Sequence, residues 1–154
     1  MRVFSNLAAV ALAGSLVLGL AACGDKETRA TPDDAKAFAE KAAAYLEEVG
    51  PDEAFDAFTN SEEWKDGDLY VFVNNTEGVS LAHGFQPELI GTNELDVPDA
   101  DGKLYVHDIV AIQDAGWVDY KWQSPATGEM LEKTSYIVRV DDYLVGVGAY
   151  KYPQ

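Results

Sequence analysis

The sequence predicts an α+β fold: an antiparallel sheet of about five to six strands with a long N-terminal helix packed on one face. Helical periodicity dominates between residues 31 and 60, whereas runs of alternating apolar and polar residues dominate after residue 68. The predicted order is two helices, two strands, one helix and three strands. Helices grouped apart from an antiparallel sheet are typical of α+β domains.

The chain is strongly acidic for its size. It carries 27 acidic and 11 basic residues among 154, a formal net charge of −16. Such a surface repels phosphate backbones, so we expect no nucleic-acid partner. Hydrophobic residues make up 47% of the chain, which indicates a globular domain rather than a disordered segment.

The first residues have the pattern of an export signal. Arg2 precedes an apolar run that ends in small residues and is too short to span a bilayer comfortably. The segment Leu20–Cys23 resembles the lipobox of bacterial lipoproteins. That resemblance implies cleavage before Cys23 and a diacylglycerol on its thiol, and two or three acyl chains would anchor the protein stably. The alternative is an ordinary signal peptide with an incidental cysteine.

These features predict a signal peptide over residues 1–22, a lipidated tether over residues 23–31 and one domain over residues 32–152. We expect a place in the cell envelope, attached to a membrane through the lipid on Cys23. Because Gly24 and not an aspartate follows the cysteine, the periplasmic face of the outer membrane is favoured in a Gram-negative cell.

The predicted helices have clear boundaries. Thr31 is an N-cap residue, Pro32 takes the first helical position, and Gly50 ends a helix with one apolar stripe. A second, short helix follows at once. Further on, the segment Asp99–Gly102 predicts a turn with a helix N-cap, leading into a third helix whose apolar residues extend to Ile112.

The strands are predicted from alternation and turn residues. Gly146 and Gly148 in the last strand predict that another group packs closely against it. The segment from Gly84 to Pro98 is irregular, and such crossings often form the wall of a binding pocket. The predicted strands are Asp68–Asn74 with its hairpin partner Val79–His83, the two arms of a hairpin within Gly116–Val140, and Tyr143–Lys151.

Several short motifs follow one another along the chain: Phe58–Trp64, Asp66–Val73, Leu81–Gly84, Leu89–Gly91, Asp101–Lys103, Gly116–Tyr120, Lys133–Tyr136 and Gly146–Tyr150. Their order and spacing resemble the Cache family in its single-Cache form. The resemblance runs from about Phe38 to Lys151 and implies a PAS-like sheet, a long helix behind it and a small-molecule pocket on the other side.

The resemblance also implies a function. Cache domains usually form the extracytoplasmic sensor of chemoreceptors and histidine kinases, and many bind organic acids or amino acids. We expect no transmembrane helix or signalling module after this domain, so only the ligand-binding half of the family's function carries over.

Lys133 is the central candidate for ligand binding. It lies mid-strand among apolar neighbours and could provide a point charge for a carboxylate, with hydroxyl groups completing the site. The alternatives are a snorkelling or exposed lysine, a structural role for His83, and core packing for the aromatic residues. Alternation places Lys133 and Tyr136 on opposite faces unless a bulge intervenes. The candidate ligand-binding residues are Tyr70, Phe72, His83, Trp117, Tyr120, Trp122, Lys133, Ser135 and Tyr136.

Catalysis and metal binding find no support in the sequence. There is no Gly-x-Ser-x-Gly motif, no His-Glu-x-x-His motif and no Cys-x-x-Cys pair, and Asp99–Gly102 lacks the later ligands of a calcium loop. We therefore expect no enzyme, no cofactor and no metal.

The sequence indicates a lipid-anchored, extracytoplasmic domain that binds a short carboxylate or an amino acid, for sensing or for presentation to a partner. The alternative is a structural or interaction lipoprotein, without a ligand, that docks onto an envelope receptor or kinase.

Overall fold

The computed structural model describes residues 29–154. The predicted signal peptide, Cys23 and the first part of the predicted tether lie outside the described residues. The regular elements are the helices α1 (Pro32–Val49), α2 (Pro51–Asn60) and α3 (Tyr105–Val110), the strands β1 (Lys65–Asp66), β2 (Leu69–Asn75), β3 (Ser80–His83), β4 (Ala115–Gln123), β5 (Met130–Val140) and β6 (Tyr143–Lys151), and the 3-10 turns Glu62–Trp64 and Pro87–Leu89.

The six strands form one antiparallel sheet. Its order is β1-β2-β6-β5-β4, and β3 also pairs with β2. The helices α1 and α2 precede the sheet in the chain, and α1 packs across β5 and β6. The predicted α+β class and antiparallel sheet are thereby confirmed.

Helix α1 begins where the sequence predicts. The Thr31 hydroxyl accepts a hydrogen bond from the Asp34 amide at 3.2 Å, and the Asp34 carboxylate accepts one from the Thr31 amide at 2.8 Å. This reciprocal capping gives hydrogen-bond acceptors to two backbone N–H groups that the helix itself leaves unpaired. Gly50 ends α1 with a positive φ of 83°. The face turned to the sheet is made mostly of small residues, namely Ala35, Ala39, Ala42, Ala43 and Leu46.

The sheet separates two apolar layers because strand side chains alternate. Val71 and Val73 of β2 point to the layer under α1 and α2, where Trp64 packs against Phe58 with ring centroids 4.9 Å apart. The neighbouring residues Tyr70 and Phe72 point to the other layer, which α3 covers. Every second residue of β2 therefore belongs to the face opposite α1.

The third helix is shorter than predicted, and Asp99 does not cap it. Helix α3 begins after Leu104, which makes no side-chain cap. The Asp99 carboxylate instead accepts hydrogen bonds from the amides of Asp101, Lys103 and Lys121, each at 2.9 Å. An aspartate readily bonds amides a few residues on, and the Lys121 amide lies on the free edge of β4. Through its hydrogen bond with the Lys121 amide, Asp99 thus connects its turn to the sheet.

The two glycines of β6 make room for large side chains on the face opposite α1. A β-carbon at position 146 would collide with the Phe72 ring, and one at position 148 would collide with Lys133 and Ser135. The prediction that these glycines permit close packing is confirmed. Gly146 and Gly148 let a ring and a lysine stem lie flat on the backbone of β6.

We expect Gly146→Ala to lower the free energy of unfolding by about 1–3 kcal/mol, because the Phe72 ring must leave its position. Urea denaturation followed by circular dichroism measures this loss. Gly116→Ala is the matched control, since its β-carbon would meet only the tip of the Ile112 side chain, at 2.9 Å. An equal loss in both variants would contradict the packing role of Gly146.

Candidate ligand-binding site

A single lysine lies among aromatic rings on the face of the sheet opposite α1. The strand register places Lys133 of β5 between Tyr120 of β4 and Tyr150 of β6. Its stem crosses Gly148, and the residue is only 2% exposed. The alternatives of an exposed or snorkelling lysine are therefore wrong.

The ammonium of Lys133 has aromatic neighbours but no counter-ion. Its Nζ donates a hydrogen bond to the Tyr70 hydroxyl at 2.8 Å. It lies 4.2 Å from the centroid of the Tyr70 ring, 5.1 Å from those of Phe72 and Tyr150, and 5.8 Å from that of Tyr120. Within residues 29–154, no carboxylate comes within ion-pair distance of it. Aromatic faces attract a cation, but they do not replace its lost hydration.

This environment disfavours the charged form of the lysine. Burial lowers the pKa of Lys133 to about 7, and the negative charge of Asp68 offsets only part of that effect. An anion placed beside Nζ would favour the charged form again, and the attraction would be strong because water is excluded. Lys133 is therefore a suitable group for holding an anion.

The hydroxyl groups around Lys133 form a connected set. Tyr70 shares a hydrogen bond of 3.0 Å with Tyr150, which donates to the backbone oxygen of Gln123 at 2.8 Å. Tyr120 shares one of 3.0 Å with Ser135. Ser135 thus fixes Tyr120, and the Tyr70–Tyr150 pair fixes the oxygen to which Lys133 donates.

His83 ends β3 and helps to hold the following loop. Its Nδ1 accepts hydrogen bonds from the amides of Gln86 at 2.8 Å and Phe85 at 3.3 Å. Burial lowers the pKa of His83 to about 3, and the charge of Lys133 adds to the effect. The ring is therefore neutral near pH 7, with its proton on Nε2. The alternative of a structural role for His83 is confirmed for Nδ1, which holds the following loop. The Nε2–H group can donate a hydrogen bond to another acceptor.

Further groups close the site from the α3 side. Tyr105 of α3 stacks on Tyr120, with ring centroids 4.3 Å apart and planes at 12°. The buried Nε1 of Trp122 has no hydrogen-bond partner among the described residues. A buried indole N–H normally finds an acceptor. Trp122 and Lys133 thus both have unused donor capacity.

The interior space between these groups is small. Its volume is about 10 Å³, which corresponds to about one water molecule. A ligand of several heavy atoms enters only if part of the wall moves. The space is lined by Phe72, Asn74, His83, Glu94, Tyr105, Tyr120, Trp122 and Lys133.

A larger, open cleft of about 690 Å³ lies at the end of the sheet and reaches Lys133 and Tyr120 from outside. Its other lysines already have partners, since Lys121 pairs with Asp101 at 3.0 Å, Lys151 with Glu132 at 3.1 Å and Lys103 with Asp108 at 2.9 Å. The unused donors lie inside instead. We therefore place the candidate site in the interior space and treat the cleft as the neighbouring surface.

The structure brings together seven of the nine candidate residues and leaves out Trp117 and Tyr136. These two contact each other on the face of α1, with ring centroids 4.9 Å apart, and Lys36 lies 5.3 Å from the Tyr136 ring. The pairing of β4 with β5 contains no bulge, so strand alternation holds throughout. The candidate residues that share the face of Lys133 are Tyr70, Phe72, His83, Tyr120, Trp122 and Ser135.

Four residues of the site are not among those predicted from the sequence. Tyr150 could have been found from alternation, because it shares a strand face with Gly146 and Gly148. Tyr105 lies in the predicted third helix, but its orientation needed the position of α3. No sequence pattern indicated Asn74 or Glu94, since Asn74 ends the predicted strand and Glu94 lies in the irregular segment.

Residues 29–154 contain no group of three or more histidine, cysteine, aspartate or glutamate side chains that could hold a metal ion. In that same range, no helix combines the length and the apolar character needed to cross a bilayer.

Comparison with known proteins matches residues 46–152 to the family described as Single Cache domain 2. Sensor histidine kinase MctS of Rhizobium johnstonii is 36% identical over 96 residues, which cover 60% of this chain and 20% of that protein. Methyl-accepting chemotaxis protein McpP of Pseudomonas putida is 32% identical over 90 residues, which cover 55% of this chain and 16% of that protein. The chain thus spans a fifth or less of these curated relatives.

The fold matches a solved structure described as the structural basis for carboxylic acid recognition by a Cache chemosensory domain. The TM-score is 0.66 at 22% sequence identity, and the match covers 78% of this chain and 92% of that chain. At this identity the likeness shows a shared fold.

We expect stability without ligand to rise by about 3 kcal/mol between pH 7 and 9.5 because of Lys133. Its pKa is lower in the folded protein, at about 7, than the ordinary value of 10.5, so the unfolded chain binds the extra proton in this range. Urea denaturation at several pH values measures the slope. His83 adds little here, because its pKa lies at about 3 when folded and at 6.5 ordinarily, so only a minority of unfolded chains carries its proton at pH 7. Burial raises the pKa of Tyr70 and Tyr150, so these tyrosines offset a small part of the rise near pH 9.5.

Lys133→Met is the control, since methionine keeps much of the stem without the charge. The variant should lose the slope and be more stable than the parent at pH 7, because a buried uncompensated charge is removed. A slope that persists in the variant would show that another group causes it.

Proposed function

The chain belongs to the Single Cache domain 2 family, and we propose that its domain binds a short carboxylate or an amino acid outside the cytoplasm. The binding would serve sensing or presentation to a partner such as an envelope receptor or kinase. One observation carries the proposal: Lys133 is 2% exposed and has no carboxylate partner among the described residues. An anionic ligand would provide the missing counter-ion.

The surroundings of Lys133 suit a ligand with one charged end and a short apolar body. Trp122 and His83 offer N–H donors near the lysine, and Phe72, Tyr105 and the other rings offer apolar surface. Pockets that combine an apolar lining with a few convergent polar groups are typical of small-molecule sites. The carboxylic acid recognition named for the solved Cache relative, and the sensor kinase and chemoreceptor relatives, support the same proposal.

The proposal includes attachment to a membrane through a lipid on Cys23. Its support is the lipobox-like segment Leu20–Cys23, which lies outside the described residues. In a Gram-negative cell, Gly24 after the cysteine favours the periplasmic face of the outer membrane. Sensing would then require contact with a separate signalling protein.

A second candidate function is an interaction protein without a ligand. The observation that favours it is the volume of the interior space, about 10 Å³, which the rings of the site leave almost filled. In that case Lys133 would remain neutral, which its pKa of about 7 permits. Binding measurements separate the two functions.

We expect short carboxylates to stabilise the full chain against heat, by about 2.7 kcal/mol at a concentration one hundred times the dissociation constant. A thermal-shift series with acetate, propionate, lactate, pyruvate and small amino acids, followed by calorimetric titration of the best ligand, measures this effect. Lys133→Met should abolish the binding while the protein stays folded.

Lys151→Met is the matched control, because Lys151 is exposed and pairs with Glu132 in the strand register beside Lys133. It should bind like the parent. Binding that survives in Lys133→Met would remove Lys133 from the site, and no binding by any of these compounds would favour the interaction protein.

A further inference from the structure

Glu94 is a second buried charge on the wall of the same interior space. It is 7% exposed, and among the described residues its carboxylate accepts only a long hydrogen bond of 3.4 Å, from the side-chain amide of Asn74. Within the described part of the chain, no lysine, arginine or histidine comes within ion-pair distance of it. Burial raises the pKa of Glu94, and the bond from Asn74 opposes this in part.

The backbone holds Glu94 firmly in place. Its amide donates to the oxygen of Gly78 at 2.9 Å, and the preceding Asn93 forms a bridge with Val79. The Asn93 side chain also donates to the oxygen of Glu77 at 3.0 Å. The irregular segment is thereby fixed to the turn between β2 and β3, so the position of Glu94 is set before any ligand binds.

Lys133 and Glu94 line the same space but contact different residues of β2. The ammonium contacts Tyr70 and Phe72, whereas the carboxylate contacts Asn74, the next residue on the same face of β2. The two charges do not form an ion pair with each other, yet both line the same space. Within the described residues, the wall therefore carries one basic and one acidic side chain that lack a partner of opposite charge.

We propose that the ligand of this site is a short amino acid, bound with its carboxylate at Lys133 and its ammonium at Glu94. This inference rests on the proposed function. A zwitterion compensates both buried charges at once. A plain monocarboxylate compensates only Lys133 and leaves the Glu94 carboxylate desolvated or protonated, so it binds less tightly. Glu94 is then the group that selects amino acids over simple acids.

Three-carbon acids that differ only in their substituents test the proposal on the full chain by calorimetric titration. The probes are propionate, lactate (2-hydroxypropionate), alanine (2-aminopropionate) and β-alanine (3-aminopropionate). We expect at least one of the two amino acids to bind tenfold or more tightly than propionate and lactate. Glu94→Gln should reduce that preference to less than threefold and leave the affinity for propionate unchanged or higher.

Glu88→Gln is the matched control, because Glu88 is an exposed acid of the same irregular segment. It should keep the preference, and thermal melts confirm that each variant is folded. Propionate or lactate binding as tightly as both amino acids would overturn the proposal, as would a preference that persists in Glu94→Gln. Either result, with binding still lost in Lys133→Met, would leave the carboxylate function standing, whereas a failure of all four compounds to bind would count against both.

Discussion

The burial of one ammonium group, with no counter-ion among residues 29–154, governs the face of the sheet that α3 covers. Lys133 contacts Tyr70, Phe72, Tyr120 and Tyr150, and these rings exclude water from it. A buried unpaired charge costs free energy that a well-packed apolar side chain would not. Proteins commonly carry such a cost at sites where a ligand relieves it. The cost is tolerable here because the pKa of about 7 lets the lysine release its proton when no anion is present.

Glycines and strand alternation make that burial possible. Gly148 leaves space for the stem of Lys133, and Gly146 leaves space for the Phe72 ring. Uninterrupted pairing of β5 with both of its neighbours then keeps Lys133 and Ser135 on one face and Tyr136 on the other. The helix side of the sheet is correspondingly apolar. The two faces therefore serve different purposes, with stability on one and the candidate site on the other.

The parts of the fold that depend on local rules could be predicted from the sequence. The capping of α1 by Thr31 and the alternation around Lys133 are set by neighbouring residues, and both were expected. The role of Asp99 could not be predicted, because its partner Lys121 lies on a strand that only the folded chain brings near. Glu94 was missed for the same reason. Its place in the site depends on backbone contacts with Gly78, and no pattern in the irregular segment signals them.

The contacts of the Asp99 turn also affect whether another chain can pair with the edge of the sheet. β4 is the outermost strand of the sheet, and an open strand edge is a template on which another chain can add. Here the Asp99 carboxylate accepts a hydrogen bond from the backbone amide of Lys121. The Lys103 ammonium donates one to the backbone oxygen of Asp119 at 2.6 Å. Two of the groups that would start intermolecular pairing are thus already bonded within the chain. The turn therefore hinders aggregation through this edge of the sheet.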